Sequence, residues 1–343
     1  MKLLFYSPAF LPLVGGLEIN TANLAGELAR LGHEVAVATL TPAGRPDDLP
    51  FRVVRNPSPH ALMRLVRWCD VFTQQNISLR GLWPLLLVRR PWVVSHHSWY
   101  CRSDGRIAWQ DRLKRRLLRH AAGSIAVSRA VAEDLETPSV VIPNPYRDDL
   151  FHLLPEVDRS RDLLFVGRLV SDKGIDLLLD ALALLADRGL HPHLTVVGEG
   201  PELPALTAQA DRLGLAGRVS FAGTRMEEEL VRTLNEHRIL VIPSRYNEPF
   251  GIVALEGIAC GCVVVGSEGG GLKEAIGPCG FTFRNGDTAG LADRLEHALR
   301  NGAAARERLA GAADHLARHG TEVVARAYLR VFEEAAAAGR RRG

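Results

Sequence analysis

Short apolar runs alternate with amphipathic stretches along the chain. KLLFYS (2–7), EVAVATL (34–40), WVVSH (92–96), SIAVS (124–128) and SVVIP (139–143) come first. After a break follow DLLFVG (162–167), HLTVVG (193–198), ILVIP (239–243) and CVVVG (262–266). These runs are continuous rather than alternating, the pattern of strands covered on both faces. Between them, LEINTANLAGELARLG (17–32) and IDLLLDALALLADRG (175–189) carry apolar residues at helical spacing. This β-α-β rhythm predicts parallel sheets with right-handed crossovers.

The rhythm pauses at PNPYRDDLFHLLPEVDRSR (143–161), where prolines and charges cluster without a period, and then restarts on a new strand. The pattern predicts an α/β protein of two Rossmann-like domains, 1–145 and 161–320, joined by a linker at 146–160. A helix with a basic tail, 321–343, closes the chain. A length of 343 residues gives each domain enough chain for its own core. Ligands of open α/β sheets bind outside the carboxyl ends of the strands. Two such domains facing one another would set those ends across a cleft.

Four strand-to-helix junctions carry glycine or charge. In PAFLPLVGGLEIN, Gly15 and Gly16 precede a helix whose N–H groups could face an anion; an ordinary turn has the same signature. In FVGRLVSDKGID, Arg168 follows a strand and Lys173 precedes a helix, a planar fork and a point charge suited to a pyrophosphate. VVGEGPEL (196–203) and GSEGGGLKEAI (266–276) are the other two, and neither completes G-x-G-x-x-G, which disfavours a nicotinamide-dependent reductase. Walker A, H-E-x-x-H, G-x-S-x-G and D-x-D sequences are absent. Any bound diphosphate would therefore be met by Arg168, Lys173 and helix N-termini, with no metal and no cofactor. In RYNEPFGIVALEGIACG (245–261), Glu248 precedes a Pro-Phe-Gly turn and Glu256 falls inside the next helix. Such glutamates could decorate a surface or hold hydroxyls.

In order, G-R-x(4)-K-G (167–174), P-S-x(3)-E-x-F-G (243–251), E-x(7)-E (248–256) and G-G-x-x-E (270–274), with Gly-Gly-Leu-Glu at 15–18, resemble glycosyltransferase family 4, the retaining enzymes of GT-B fold. The resemblance runs over nearly the whole chain. It implies an acceptor-binding N-terminal domain, a nucleotide-sugar-binding C-terminal domain, and a final helix that returns to the first domain. Arg168 and Lys173, with the backbone of Gly16, would hold the donor diphosphate. Glu256 would accept the ribose hydroxyls, since a carboxylate is an acceptor-only partner for a diol. Glu248 would lie against the donor sugar, with the N–H groups of Phe250 and Gly251 near sugar or phosphate. His97 matches the family's sugar-contacting histidine, whereas His96, one residue off that register, would pack. Arg225 is a candidate at the base through its backbone.

The resemblance further implies same-face attack through an oxocarbenium-like state, with the leaving diphosphate accepting the acceptor's proton. Two positions depart from the family pattern. Asn144-Pro145-Tyr146-Arg147 replaces Asn-Gly-Val-Asp after the interdomain strand, and Lys273 stands where proline is common. A sugar-isomerising or hydrolysing relative of the same fold, and a non-catalytic nucleotide-sugar-binding module, remain open.

The acceptor would be a glycan, a lipid-linked molecule or a small molecule, chosen by the loop SHHSWYCRSDGRIAW (95–109). There Trp99, Tyr100 and Trp109 could stack on a sugar, and Arg102 or Arg106 could meet an anion; aromatics packed beneath a loop give the same pattern. The next segment, residues 111–120, has basic residues beside Leu113, Leu117 and Leu118, suiting either a core-facing helix or contact with an anionic membrane. A net charge of +3 without a basic-aromatic stripe argues against nucleic acid. Only four of the 42 basic residues are lysines, Lys2, Lys114, Lys173 and Lys273. The five cysteines sit among apolar neighbours, as buried residues of a reducing compartment do. With Pro8 and Pro12 interrupting the opening stretch and no apolar run of spanning length, the expected location is the cytoplasm, including the inner face of the cell membrane.

Overall fold

The computed structural model describes residues 1–13, 15–43, 47–101 and 107–341. The chain divides into two compact units, Met1–Pro145 together with the stretch from Gly320, and Tyr146–His319. Each holds one sheet, and every strand pairing in both is parallel.

In the first unit the strands are β1 (Lys2–Tyr6), β2 (Glu34–Thr39), β3 (Arg52–Arg55), β4 (Val71–Gln75), β5 (Trp92–His96), β6 (Gly123–Ala126) and β7 (Val140–Val141). Their order is β3-β2-β1-β4-β5-β6-β7. The second unit has β8 (Arg161–Val166), β9 (Leu194–Val197), β10 (Val219–Phe221), β11 (His237–Ile242), β12 (Val263–Ser267) and β13 (Gly280–Phe283), ordered β10-β9-β8-β11-β12-β13. Both reproduce the Rossmann-like arrangement, in which the strand order reverses beside the first strand. Those switch points fall between β1 and β4, and between β8 and β11.

Nine strands lie within or beside the nine apolar runs. The other four, β3, β4, β10 and β13, carry weaker signals. VFTQQ of β4 holds two glutamines, yet both are buried: the Gln74 amide is satisfied at both ends, and Gln75 Oε1 lies 2.8 Å from His97 Nε2. Gln74 accepts from the Ser78 N–H and donates to the Ser78 carbonyl, each at 3.1 Å.

The first core packs Leu3, Phe5, Val37, Val71, Val93 and Ile125 against Leu24 and Leu28 of the Gly16–Arg30 helix. The C-terminal helix, Thr321–Arg341, joins that same core through Val324, Tyr328 and Phe332. The second core sets Leu163, Phe165, Val196, Val241 and Val265 against Leu178, Leu182 and Leu185 of the Ile175–Asp187 helix. Residues 146–160 belong to this second unit, with Phe151 buried and Arg159 donating to the carbonyls of His237 and Cys260. Cys69, Cys260, Cys262 and Cys279 are buried free thiols and Cys101 is half-buried; burial pushes Cys69 and Cys262 up to about 12.

Candidate active site

In the second unit, the loops leaving β8 and β11 carry the charged motifs, at the switch point where open α/β sheets place ligands. The β8 loop runs from Gly167 through a short 3-10 turn, Ser171–Lys173, into the Ile175–Asp187 helix. Gly174 caps that helix in a left-handed conformation (φ 67°), and a Cβ there would collide with the Pro243 carbonyl. Glycine lets the two loops touch backbone to backbone. Asp172 strengthens the seam, its carbonyl accepting from the N–H of Arg245 at 2.9 Å and of Tyr246 at 3.3 Å. The Arg245 side chain pairs with Asp176.

This seam brings Lys173 and Glu248 together. Lys173 Nζ lies 2.6 Å from Glu248 Oε1, and Ser244 Oγ donates to the same oxygen at 2.6 Å. The Glu248 carbonyl accepts from the Gly271 N–H at 2.7 Å, and its backbone bridges to Gly270. GSEGGG thus braces the glutamate loop. Asn285 completes the brace, accepting from the Gly269 N–H at 2.8 Å and donating to Asn247 Oδ1 at 3.2 Å.

Arg168 is exposed, with no ion pair among the described residues. Its loop is propped by the glycines of VVGEG. At Gly198 (φ 135°) a Cβ would strike the Gly167 carbonyl, and Leu169 exchanges backbone hydrogen bonds with Glu199 and Glu202. Those glycines serve close packing against the Arg168 loop.

Glu256 lies in the Ile252–Ala259 helix, which starts at Gly251 directly after the Pro-Phe turn. It is half-buried, and burial pushes its carboxyl from 4.5 up to about 7, with the Arg147 guanidinium acting in the opposite direction. Arg147, one of the residues that depart from the family pattern, is thereby placed near Glu256. Phe250 is buried, its ring tilted against His319 at a centroid distance of 5.8 Å. Arg225 turns its side chain to Thr233 Oγ1 at 2.7 Å and to Glu229 at 3.5 Å. Lys273 is exposed at the start of the Leu272–Ile276 helix.

In the first unit, His97 follows β5 directly. Its Nε2 lies 2.8 Å from both Gln75 Oε1 and Ser95 Oγ, and Ser95 Oγ lies 2.6 Å from the Tyr328 hydroxyl. Its backbone N–H donates to Asn76 Oδ1 at 2.7 Å. Burial pulls the imidazole down to about 4, with Asn144 acting the other way, so the ring is neutral at pH 7. Its Nδ1 has no partner of hydrogen-bond geometry among the described residues. Asn144 itself accepts from Asn20 at 3.2 Å. His96 packs, held by the Tyr100 hydroxyl at 2.7 Å and Ser124 Oγ at 3.1 Å. At the helix that begins with Gly16, the Glu18 carboxylate folds back over Gly15, so an anion entering there would meet a carboxylate first.

Tyr100 corrects one expectation. It is buried, its hydroxyl takes the Ile77 N–H at 3.0 Å, and Lys114 Nζ lies 5.6 Å from its ring centroid. It packs the loop and offers no open face to an acceptor. Trp99 is half-buried; Arg102 and Arg106 lie outside the described residues. The Trp109–Leu118 helix buries only Leu118. Trp109 is 70% exposed and Leu113 37%, which contradicts a wholly core-facing apolar side. No helix among the described residues is long and apolar enough to cross a membrane.

Ser244, Asn285, Gln75, Ser95 and Tyr328 were not singled out by sequence reasoning. Ser244 stood inside a quoted motif, and its signal was the hydroxyl four residues before Glu248. Ser95 stands two residues before His97 in WVVSH, with nothing to mark its contact, and the other three come from distant segments and left no local trace.

The family model described as Glycosyl transferases group 1 matches residues 147–315, and that described as Glycosyltransferase Family 4 matches residues 14–150. The phosphatidyl-myo-inositol mannosyltransferase of Mycobacterium leprae is 27% identical over 372 residues, spanning 99% of this chain and 98% of that protein. The D-inositol 3-phosphate glycosyltransferase of Corynebacterium jeikeium is 36% identical over 192 residues, 53% of this chain and 46% of that protein. Among solved structures, Anabaena HepE in complex with UDP and glucose superposes with a TM-score of 0.81 at 21% identity, covering 97% of this chain and 99% of that one. Sucrose-phosphate synthase from Thermosynechococcus elongatus gives 0.82 at 21% identity, covering 98% and 99%. At such identities the likeness concerns the fold.

Proposed function

Because the chain belongs to the family 4 glycosyltransferases of GT-B fold, we propose that it moves a sugar from a nucleotide-sugar donor to a hydroxyl acceptor with retention of configuration. The observation that carries the reading is the Lys173–Glu248 contact at the β8–β11 switch point, with Glu256 eight residues further on. A cation suited to phosphate thus stands beside a carboxylate suited to hydroxyls. A structural neighbour bound to UDP and glucose supports a nucleotide-sugar donor of this kind.

Arg168 and Lys173 meet the charge that grows on the leaving diphosphate, as fixed cations do in water-poor sites. No metal or other cofactor is assigned to that task. Glu256 takes the ribose diol and Glu248 the sugar. The main-chain N–H groups of Phe250 and Gly251 face sugar or phosphate; Gly16 assists the diphosphate once the Glu18 carboxylate swings away from Gly15, and the backbone near Arg225 assists the base. His97, neutral and with Nδ1 unpartnered, is a hydrogen-bonding group for the sugar rather than a proton donor. The acceptor oxygen attacks the face the diphosphate leaves, and the diphosphate takes its proton.

The acceptor is a glycan, a lipid-linked molecule or a small molecule with free hydroxyls, and Trp99 is the aromatic assigned to its side. The exposed Trp109 and Leu113, beside Arg112, Arg116 and Arg119, are proposed to rest on an anionic membrane at its cytoplasmic face.

The test has two stages. Thermal stabilisation against a panel of nucleoside diphosphates and nucleotide sugars should select one base, because a ligand of the native state raises stability by mass action. Product anomeric configuration, read by NMR with the selected donor, should match the donor's. Inversion, or a trapped glycosyl-Glu248 adduct, would refute the mechanism; turnover without any acceptor would favour a hydrolysing or isomerising relative.

A further inference from the structure

Lys173 and Glu248 have separate tasks in the proposed reaction, yet in the ligand-free protein they occupy each other. Lys173 Nζ and Ser244 Oγ both sit 2.6 Å from one oxygen, Glu248 Oε1. The pair is built rather than incidental. Ser244 is fully buried, the Glu248 main chain is tied to Gly270 and Gly271, and Gly174 locks the lysine's loop against Pro243. The side chains of Lys173 and Glu248 are 27% and 12% exposed, so neither charge is fully screened.

An entering diphosphate must therefore take Lys173 from Glu248. Half-buried, the carboxylate then loses its counter-ion beside an incoming anion, which costs free energy unless new donors replace it. A donor sugar brings hydroxyls to that carboxylate, whereas a nucleoside diphosphate brings none. We infer that Glu248 competes with the diphosphate for Lys173, so that the site holds the nucleotide sugar more readily than the nucleoside diphosphate left after transfer. Once the sugar has gone, Glu248 recaptures Lys173 and helps expel the product, with Ser244 as the positioning residue that keeps Oε1 in place. This inference rests on the nucleotide-sugar reading above.

The test is calorimetric titration with whichever of UDP, GDP and ADP most stabilises the wild-type protein. Glu248→Gln should bind it more tightly, by about two- to fivefold, the range a partly exposed ion pair gives. Glu248→Ala should shift affinity in the same direction, which guards against an effect peculiar to glutamine. Lys173→Met should weaken binding, and Lys173→Met/Glu248→Gln should match Lys173→Met within about twofold, because without the lysine there is nothing to compete for. Unchanged or weaker binding by both Glu248 variants would overturn the inference. A gain that survives in the double variant would also overturn it, by showing direct repulsion instead. Wild-type protein that binds none of the three would sink the nucleotide-sugar reading itself, a distinct result.

Discussion

Replacing Glu256 by glutamine should change stability and ligand binding in opposite directions. In the folded protein its carboxyl is pushed from 4.5 up to about 7, chiefly by burial. The folded state then holds the proton over a pH range in which the unfolded chain has already released it. Glu256 therefore costs nothing below about pH 4.5, costs progressively more as pH rises toward 7, and levels off above that. The full gap is worth about 3 kcal/mol at 1.36 kcal/mol per pH unit. The side chain keeps some contact with water, so about 1–2 kcal/mol is the expected effect. Glutamine is neutral throughout. Urea unfolding at pH 4 and pH 8 should show the two proteins nearly equal at the lower pH and the variant more stable by about 1–2 kcal/mol at the higher. Nucleoside diphosphate binding should move the other way. Only the carboxylate offers two acceptor oxygens to a diol, and hydrogen bonds to a charged group are worth about 1.5–3 kcal/mol, so the variant should bind about tenfold or more weakly at pH 8. Wild-type affinity should also fall as pH drops through 7. A variant less stable at pH 8, or one with the wild-type pH slope, would refute the account of Glu256 as a carboxylate held ready for hydroxyls.

Other changes test the rest of the site. Glu248→Gln should lower kcat by about a hundredfold, a loss typical of a residue that positions a reacting group, and steady-state kinetics with saturating donor would show it. Arg168→Ala should lower kcat/KM yet leave stability within about 0.5 kcal/mol, since the side chain is exposed; a large stability loss would argue for a structural arginine. Tyr328→Phe removes the hydroxyl 2.6 Å from Ser95 Oγ and should cost about 1 kcal/mol in urea unfolding, with reduced turnover through His97. Flotation with anionic liposomes should recover the wild-type protein, and Trp109→Glu should abolish recovery; equal recovery of both would remove the membrane contact.

Much of this protein is legible locally. Apolar runs such as WVVSH carry their own strand signal, because a parallel strand buried on both faces tolerates almost nothing else. The motifs around Arg168, Lys173, Glu248 and Glu256 identify the family because each residue lies at a fixed chain distance from a strand end or helix start. The strand VFTQQ was harder to read, since its glutamines are stabilised by Ser78 and His97, which the run itself does not contain. Tyr100 stays open between stacking and packing for the same reason: an aromatic side chain looks alike in sequence whether it faces a ligand or fills a space above His96. The two sheets, the glycosyltransferase family and the charged residues at the strand ends are therefore all written in local chain pattern. Folding adds that Glu248 and Ser244 hold Lys173, that burial lifts the Glu256 carboxyl toward 7, and that Tyr328, 233 residues from Ser95, reaches His97 through it. Those are effects of desolvation and of contact between distant segments, and they depend on where the fold excludes water.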